Sequence, residues 1–381
     1  MTDTTPNEGR NGRTPLPPEF FEEDDDHIDE KIRLSRDLII ASRALGPDEA
    51  RYLVDAYYQT QENRKRTYNQ LRSMGDDPGL LIGWMAEKNW TLEQQVARAL
   101  KEYTSAHPMS DWMRGIRGIG PVLSAGFLAH IDMDRCPTVG HIWSFAGIAG
   151  PPQEPDNRQA AYKVKFKKLI DPNSPPQLYT SSGEWATPYY PDGPNTYVYQ
   201  LKVGKDDAPE IGIRSPDMPQ VKFNNNIESV EVFYRNTGQK SWVKGEKRPF
   251  NAQLKVLCWK TGQSFMKLSN REDCYYGGVY RKRKESEIAN NEALLLKDKA
   301  ASQLPYFKQT TEAYKWYEKG MLPPAHIDAR ARRYAVKLFL SHLHHEWHVR
   351  LYGKAPPLPY PIAFMQHVHF IHPNEGQTKE H

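Results

Sequence analysis

The sequence predicts a mainly α fold carrying a small β-rich insert. Two observations carry that prediction. Apolar residues recur at helical spacing on both sides of the chain's middle, and residues 151–242 break the pattern with Pro, Gly, Asn and Tyr in short alternating runs. A third observation narrows the class: apolar residues make up only 38% of 381, and no run approaches the roughly 20 that a membrane-spanning helix needs. The first residues show neither the basic nor the apolar segment of a secretory signal. Three well-separated cysteines, Cys136, Cys258 and Cys274, suit neither a disulfide framework nor a zinc set. Together these features predict a cytoplasmic protein whose cysteines serve packing.

Residues 1–27 combine prolines, glycines and a carboxylate run, with too little apolar surface to offset ordering entropy, and read as a disordered acidic tail. Residues 1–31 hold ten acidic side chains against Arg10, Arg13 and Lys31, a net −7, which leaves +11 on the rest of a chain whose total is +4. A basic body behind an acidic tail suits a polyanionic partner, and the tail could mimic nucleic acid until substrate displaces it. A solvated tail on an ordinary surface has the same arithmetic.

Residues 28–112 read as a helical arm. A first helix over 32–45 stops at Gly46, and Pro47 with two acids opens a long second one. Leu53, Tyr57, Tyr68 and Leu71 keep helical spacing, while QTQENRKRT between them is polar all round, as in a coiled-coil-like arm that pairs or projects into solvent. After Gly75-Asp76-Asp77-Pro78, Thr91 is expected to cap a helix whose buried face is Leu92, Val96, Ala99, Leu100 and Tyr103. In the insert, strands are expected near 197–203 and 230–234. Residues 243–355 return to helix over 250–268, a charged 280–301 and 323–352, and residues 356–381 form a Pro- and His-rich tail.

Residues 113–150 hold the most specific stretch, which begins MRGIRGIGPVLSAGFLAHI. Gly118 and Gly120 supply conformations and close approach that a Cβ would obstruct, Ile119 can point inward, and Pro121 suits a first helical position. Val122, Ala125, Leu128 and Ala129 form the buried stripe. What faces outward is bare amide N–H at a helix start, where an anion is favoured, with Arg114 and Arg117 just upstream.

This stretch resembles the helix-hairpin-helix element of many DNA-binding proteins, whose contacts go to the backbone and position a duplex without reading it. The longer run IRGIGPVLSAGFLAHIDMDRCPTVGHIWSFAGIAG is similar to the start of the C-terminal transposase domain of the insertion-sequence family that includes Piv-type DNA invertases and bridge-RNA-guided recombinases. KGEKRPFNAQLKVLCWKTGQSF resembles that family's basic helix, with Lys247, Arg248, Asn251, Leu254 and Lys255 in matching places, and ARARRYAVKLFLSHLHHEWHVRLYG resembles its closing helix. The resemblance implies contact of Lys247, Arg248, Asn251 and Lys255 with DNA or with a guide or structured RNA. It also places a coiled coil in the helical region, which suggests a homo-oligomer through the arm.

The departures bear on catalysis. The family's RuvC-like nuclease domain, with four metal-binding carboxylates, has no counterpart in the first hundred residues, which read as helical. No cofactor is therefore implied, and a divalent metal only if a separate RuvC-like nuclease is a partner. The family's serine nucleophile lies shortly before the basic helix, where this chain has Thr237; Ser241 follows, and Ser182 lies upstream in the insert. These are the catalytic candidates, none with a base in its local sequence.

Two strips of basic and aromatic residues add further places to hold phosphates. One contains Arg281 and Arg283, the other Arg330, Arg332, Arg333 and Lys337; solvated helix faces are the plain alternative. His344 and His348 lie one turn apart, and a metal there would need a third ligand such as His367 or His369, so packing is the expected role and no metal site is assigned. The favoured reading is a DNA-binding, transposase/recombinase-like protein of a mobile element or phage. The alternatives are an active serine-nucleophile recombinase acting with a separately supplied nuclease domain, and a non-catalytic structural or interaction protein that retains the fold.

Overall fold

A computed structural model describes residues 33–74, 80–150, 160–171, 175–180, 185–200, 211–212, 226–234, 244–359, 362–363 and 370–373. The acidic tail, the turn at 75–78, Ser182, Thr237, Ser241, His367 and His369 lie outside the described residues. The protein is mainly α with a small antiparallel sheet. No helix among the described residues is long and apolar enough to cross a membrane.

Helices α1 (Arg36–Ser42), α2 (Pro47–Ser73) and α3 (Leu80–Ala106) form the arm. Pro47 occupies the first turn of α2, and the Glu49 carboxylate accepts from the Gly46 amide at 2.8 Å, so the start follows the local signals in the sequence. Helix α3 corrects two expectations. It runs unbroken through Thr91, because the preceding segment is rich in strong helix formers and nothing there interrupts it. Leu92 is exposed, whereas Glu93 is buried at 2% exposure. The reason is a polar lock: Glu93 accepts hydrogen bonds from Arg64 at 2.6 Å and Gln61 at 3.1 Å, and Arg64 lies over the Trp90 ring at 4.9 Å. The polar middle of α2 therefore pairs with α3 of the same chain.

A short helix α4 (Ser110–Arg114) leads through the hairpin turn to α5 (Pro121–His130) and α6 (Val139–Phe145). Helix α5 is buried nearly all round, including Ser124 and His130 as well as the expected Val122, Ala125, Leu128 and Ala129. After the sheet come α7 (Ala252–Lys267), α8 (Tyr275–Glu292), α9 (Lys297–Gln303), α10 (Glu312–Glu318) and α11 (Pro324–Tyr352). The single charged helix expected over 280–301 is in fact two, broken where Leu294 takes a left-handed φ of 56°. One apolar core unites Val54 and Leu100 of the arm with Trp112, Phe127, Leu257, Phe265, Tyr276 and Phe339. The segments 28–112, 113–150 and 243–355 thus share a core and differ along the chain rather than as separate folding units.

The insert contributes β1 (Ala160–Phe166), β2 (Leu178–Thr180), β3 (Trp185–Pro191), β4 (Thr196–Gln200), β5 (Ile211–Gly212) and β6 (Ile227–Tyr234), in the order β5-β2-β3-β4-β1-β6. Alternation puts Tyr162, Val164 and Phe166 on one face with Tyr197 and Tyr199, and Ala161 and Val198 on the other with Tyr189 and Tyr190. That second face meets the helices: Tyr190 packs edge-on against His141 of α6 at 5.3 Å, and Tyr189 Oη donates to the Leu358 carbonyl at 3.4 Å.

Candidate nucleic-acid interface

The hairpin turn is clamped from within and open from without. Gly118 has a φ of 99°, and an added Cβ would meet Leu268 and Ser264 at 3.2 Å and Phe265 at 3.3 Å. Ser264 Oγ donates to the Gly118 carbonyl at 2.7 Å, and Cys274 Sγ to the Arg117 carbonyl at 3.4 Å. Ile119 is buried. Gly120 is the opposite case: it is exposed, its φ is an ordinary −85°, and nothing lies within 4 Å of an added Cβ. It caps α5 without a side-chain bond, and the Gly120, Val122 and Leu123 amides meet no acceptor among the described residues. Arg117 is half exposed and lies 3.4 Å from Asp273, which also holds Arg271, so two cations share one carboxylate. Arg114 pairs with Asp111 of its own helix at 2.5 Å.

A second basic feature lies along α7 and α11. Lys247 and Arg248 are exposed in the loop before α7. Asn251 caps that helix, its Oδ1 accepting from the Leu254 amide at 2.9 Å, while its own amide donates to the Phe145 carbonyl at 2.8 Å. The residue that the resemblance matched to a nucleic-acid contact therefore spends its side chain on starting the helix. One turn later Lys255 places its ammonium 4.2 Å from the Phe250 ring centroid. With Arg332, Arg333, Trp259 and the loop 147–149, Lys255 lines a groove of about 330 Å³.

Two of the three cations that line the groove have no carboxylate partner among the described residues. Arg332 pairs with Asp328 at 2.7 Å, but neither Lys255 nor Arg333 forms a salt bridge among the described residues. Burial, and then the Arg333 and Arg248 charges, hold Lys255 below its usual range. Burial and Arg330 lower Arg333, and burial and Arg333 bring Lys337 down to about 8, its ammonium 4.4 Å from the Trp143 ring centroid. Cations that depress one another gain free energy when an anion arrives.

Four cations of the two basic strips, Arg283, Lys284, Arg330 and Arg332, are spent inside the fold. Glu287, 1% exposed, accepts from Arg283 and Arg330 at 2.5 and 2.7 Å, which fastens α8 to α11. Asp328 takes Lys284 and Arg332 and accepts from Tyr280 Oη. Arg281 is exposed on α8. The hairpin and the groove are also separate contacts. At 100° per residue, Ser264 and Leu268 lie on a different side of α7 from Lys255, Trp259 and Gly262.

Three of the C-terminal histidines bond to main chain. His342 joins Tyr276 Oη at 2.8 Å to the Ile371 carbonyl at 3.0 Å, His344 meets the Cys136 carbonyl at 2.8 Å, and His348 meets that of Lys354 at 2.9 Å. Burial pulls His342 and His344 down to about 4. No group of three His, Cys, Asp or Glu among the described residues could hold a metal. All three cysteines are buried and free, and burial pushes Cys136 and Cys258 up to about 12, away from thiolate chemistry.

Sequence reasoning missed Trp259 and the place of the loop at 147–149 beside it. The signal for Trp259 was present in its spacing, four residues after Lys255 and so on the same helix face; the turn Gly147-Ile148-Ala149-Gly150-Pro151 matches a turn of the family resembled, but nothing local places it beside α7. Comparison with family models, curated proteins and solved structures found no match for this chain.

Proposed function

We propose that this protein is a DNA-binding protein of the transposase/recombinase-like class, of mobile-element or phage origin. It works in the cytoplasm, at the nucleoid when bound. It holds the sugar-phosphate backbone at two places: the amides of the turn at 118–120 with Arg117, and the basic groove of Lys255 and Arg333 with Lys247 and Arg248 at its approach. The observation that carries the reading is the groove, which Lys255, Arg332 and Arg333 line together, with no carboxylate paired to Lys255 or Arg333 among the described residues. A guide or structured RNA presents the same backbone charge. Strand exchange would call for a partner carrying the nuclease domain, and no nucleophile is assigned on this chain.

The hairpin's share is tested by two glycine replacements. Gly120→Val is expected to cost about 1 kcal/mol or less, the loss of a good helix cap at an exposed, unstrained position, and to weaken duplex binding roughly tenfold by holding phosphate away from the amides. Gly118→Val is expected to destabilise the fold by about 2 kcal/mol or more through strain and crowding. Thermal melts and fluorescence anisotropy separate the two. A Gly120→Val protein that binds duplex as tightly as wild type would remove the turn from the interface.

A further inference from the structure

We infer that the groove between α7, α11 and the loop at 147–149 takes an unpaired base of a single-stranded nucleic-acid segment, stacked on Trp259, with the adjoining phosphate held by Lys255 and Arg333. The inference rests on the nucleic-acid reading above and names the form of substrate that this half of the site accepts.

Three observations carry it. Trp259 is 60% exposed on a helix whose other large apolar residues include the buried Leu254, Leu257 and Phe265, and it stands one turn from Lys255 on the face that opens to the groove. An exposed indole between cations is a stacking platform with phosphate ligands beside it, the arrangement by which proteins hold bases irrespective of sequence. The groove also has a floor suited to a flat ring. Gly262 lets α7 and α11 approach so closely that a Cβ there would meet Arg332 at 3.3 Å and Val336 at 3.4 Å, and Cys258 and Val336 supply apolar surface beneath. Finally, the volume of about 330 Å³ falls in the range of ligand pockets. A base in a duplex is stacked on its neighbours and cannot enter such a groove. An unpaired one can.

The test compares wild type with Trp259→Ala and Trp259→Phe, by anisotropy at low salt, on a fluorescein-labelled oligothymidylate and on a blunt duplex of equal length. Trp259→Ala is expected to weaken oligothymidylate binding about 5- to 100-fold and to leave duplex affinity within about twofold. Trp259→Phe, which keeps an aromatic face, should restore most of the loss. Unchanged oligothymidylate affinity in Trp259→Ala, or an equal loss on the duplex, overturns the inference while the proposed function stands. Competition by thymidine monophosphate as effective as that by unlabelled oligothymidylate at equal nucleotide concentration would assign the groove to a free nucleotide and overturn the strand reading. Failure of wild type to bind either substrate overturns both.

Discussion

Reversing two charges in the groove, Lys255→Glu together with Arg333→Glu, is expected to weaken both duplex and single-strand binding by about 100-fold or more at low salt. Each lysine or arginine on a phosphate contributes through counterion release, and a carboxylate in its place repels the backbone instead. The fold should survive, because neither side chain is paired with a carboxylate among the described residues, so the exchange breaks no ion pair there. Removing Arg333 also lifts one of the two influences that lower Lys337, so its ammonium should move up from about 8 towards the ordinary lysine range. Anisotropy reads the affinity, circular dichroism the fold, and NMR titration of Lys337 the local field. Wild-type affinity in the double variant would dismiss the groove as the principal contact.

Glu287→Ala is expected to cost about 3 kcal/mol of stability, the largest effect anticipated for a single side chain outside the apolar core. The carboxylate is buried between Arg283 and Arg330, and its removal leaves two guanidinium groups at the seam between α8 and α11 without their partner. Both arginines reach partly into solvent, which sets the figure at the lower end for a broken buried pair. The sign of the pH dependence follows. Burial acts to raise the Glu287 carboxyl, but hydrogen bonds and charge from Arg330 and Arg283 outweigh it, so its folded value lies below the ordinary 4.5. Its stabilising contribution is therefore complete above that ordinary value and disappears as pH falls through the lowered folded one. Urea melts of wild type and Glu287→Gln should differ at neutral pH and converge in strong acid. Equal midpoints at neutral pH would mean that the seam is held by apolar contacts alone.

Elements with local signals were legible in the sequence. Pro47 after Gly46, Pro121 after Gly120 and the apolar spacing of α5 and α11 mark helix starts and buried stripes that the structure keeps. Alternation marked two strands of the insert, near 197–203 and 230–234, where the structure has β4 and β6; β1, β2, β3 and β5 carry no alternation clear enough to announce them. Tertiary pairing was not legible. Glu93 is buried because Arg64 of another helix reaches it, which no pattern within α3 can announce. The basic strips illustrate the same limit, since Arg283, Lys284, Arg330 and Arg332 look available in sequence but face carboxylates once α8 and α11 pack. Of the residues matched by the basic-helix resemblance on α7 and at its start, Lys255 has no carboxylate partner among the described residues and Asn251 acts as a helix cap. Gly118 and Gly120 belong to one sequence motif but do different work: the first is required by the chain's own packing, the second leaves room for something outside it.

The most direct measurement is the affinity of the purified protein for a short DNA duplex across a series of salt concentrations. With contacts at the hairpin and in the groove, log Kd should rise linearly with log salt at a slope of about 3 to 5, near 0.9 per phosphate neutralised. Binding that is absent at low salt, or present but indifferent to salt, would contradict a backbone-holding role for this protein.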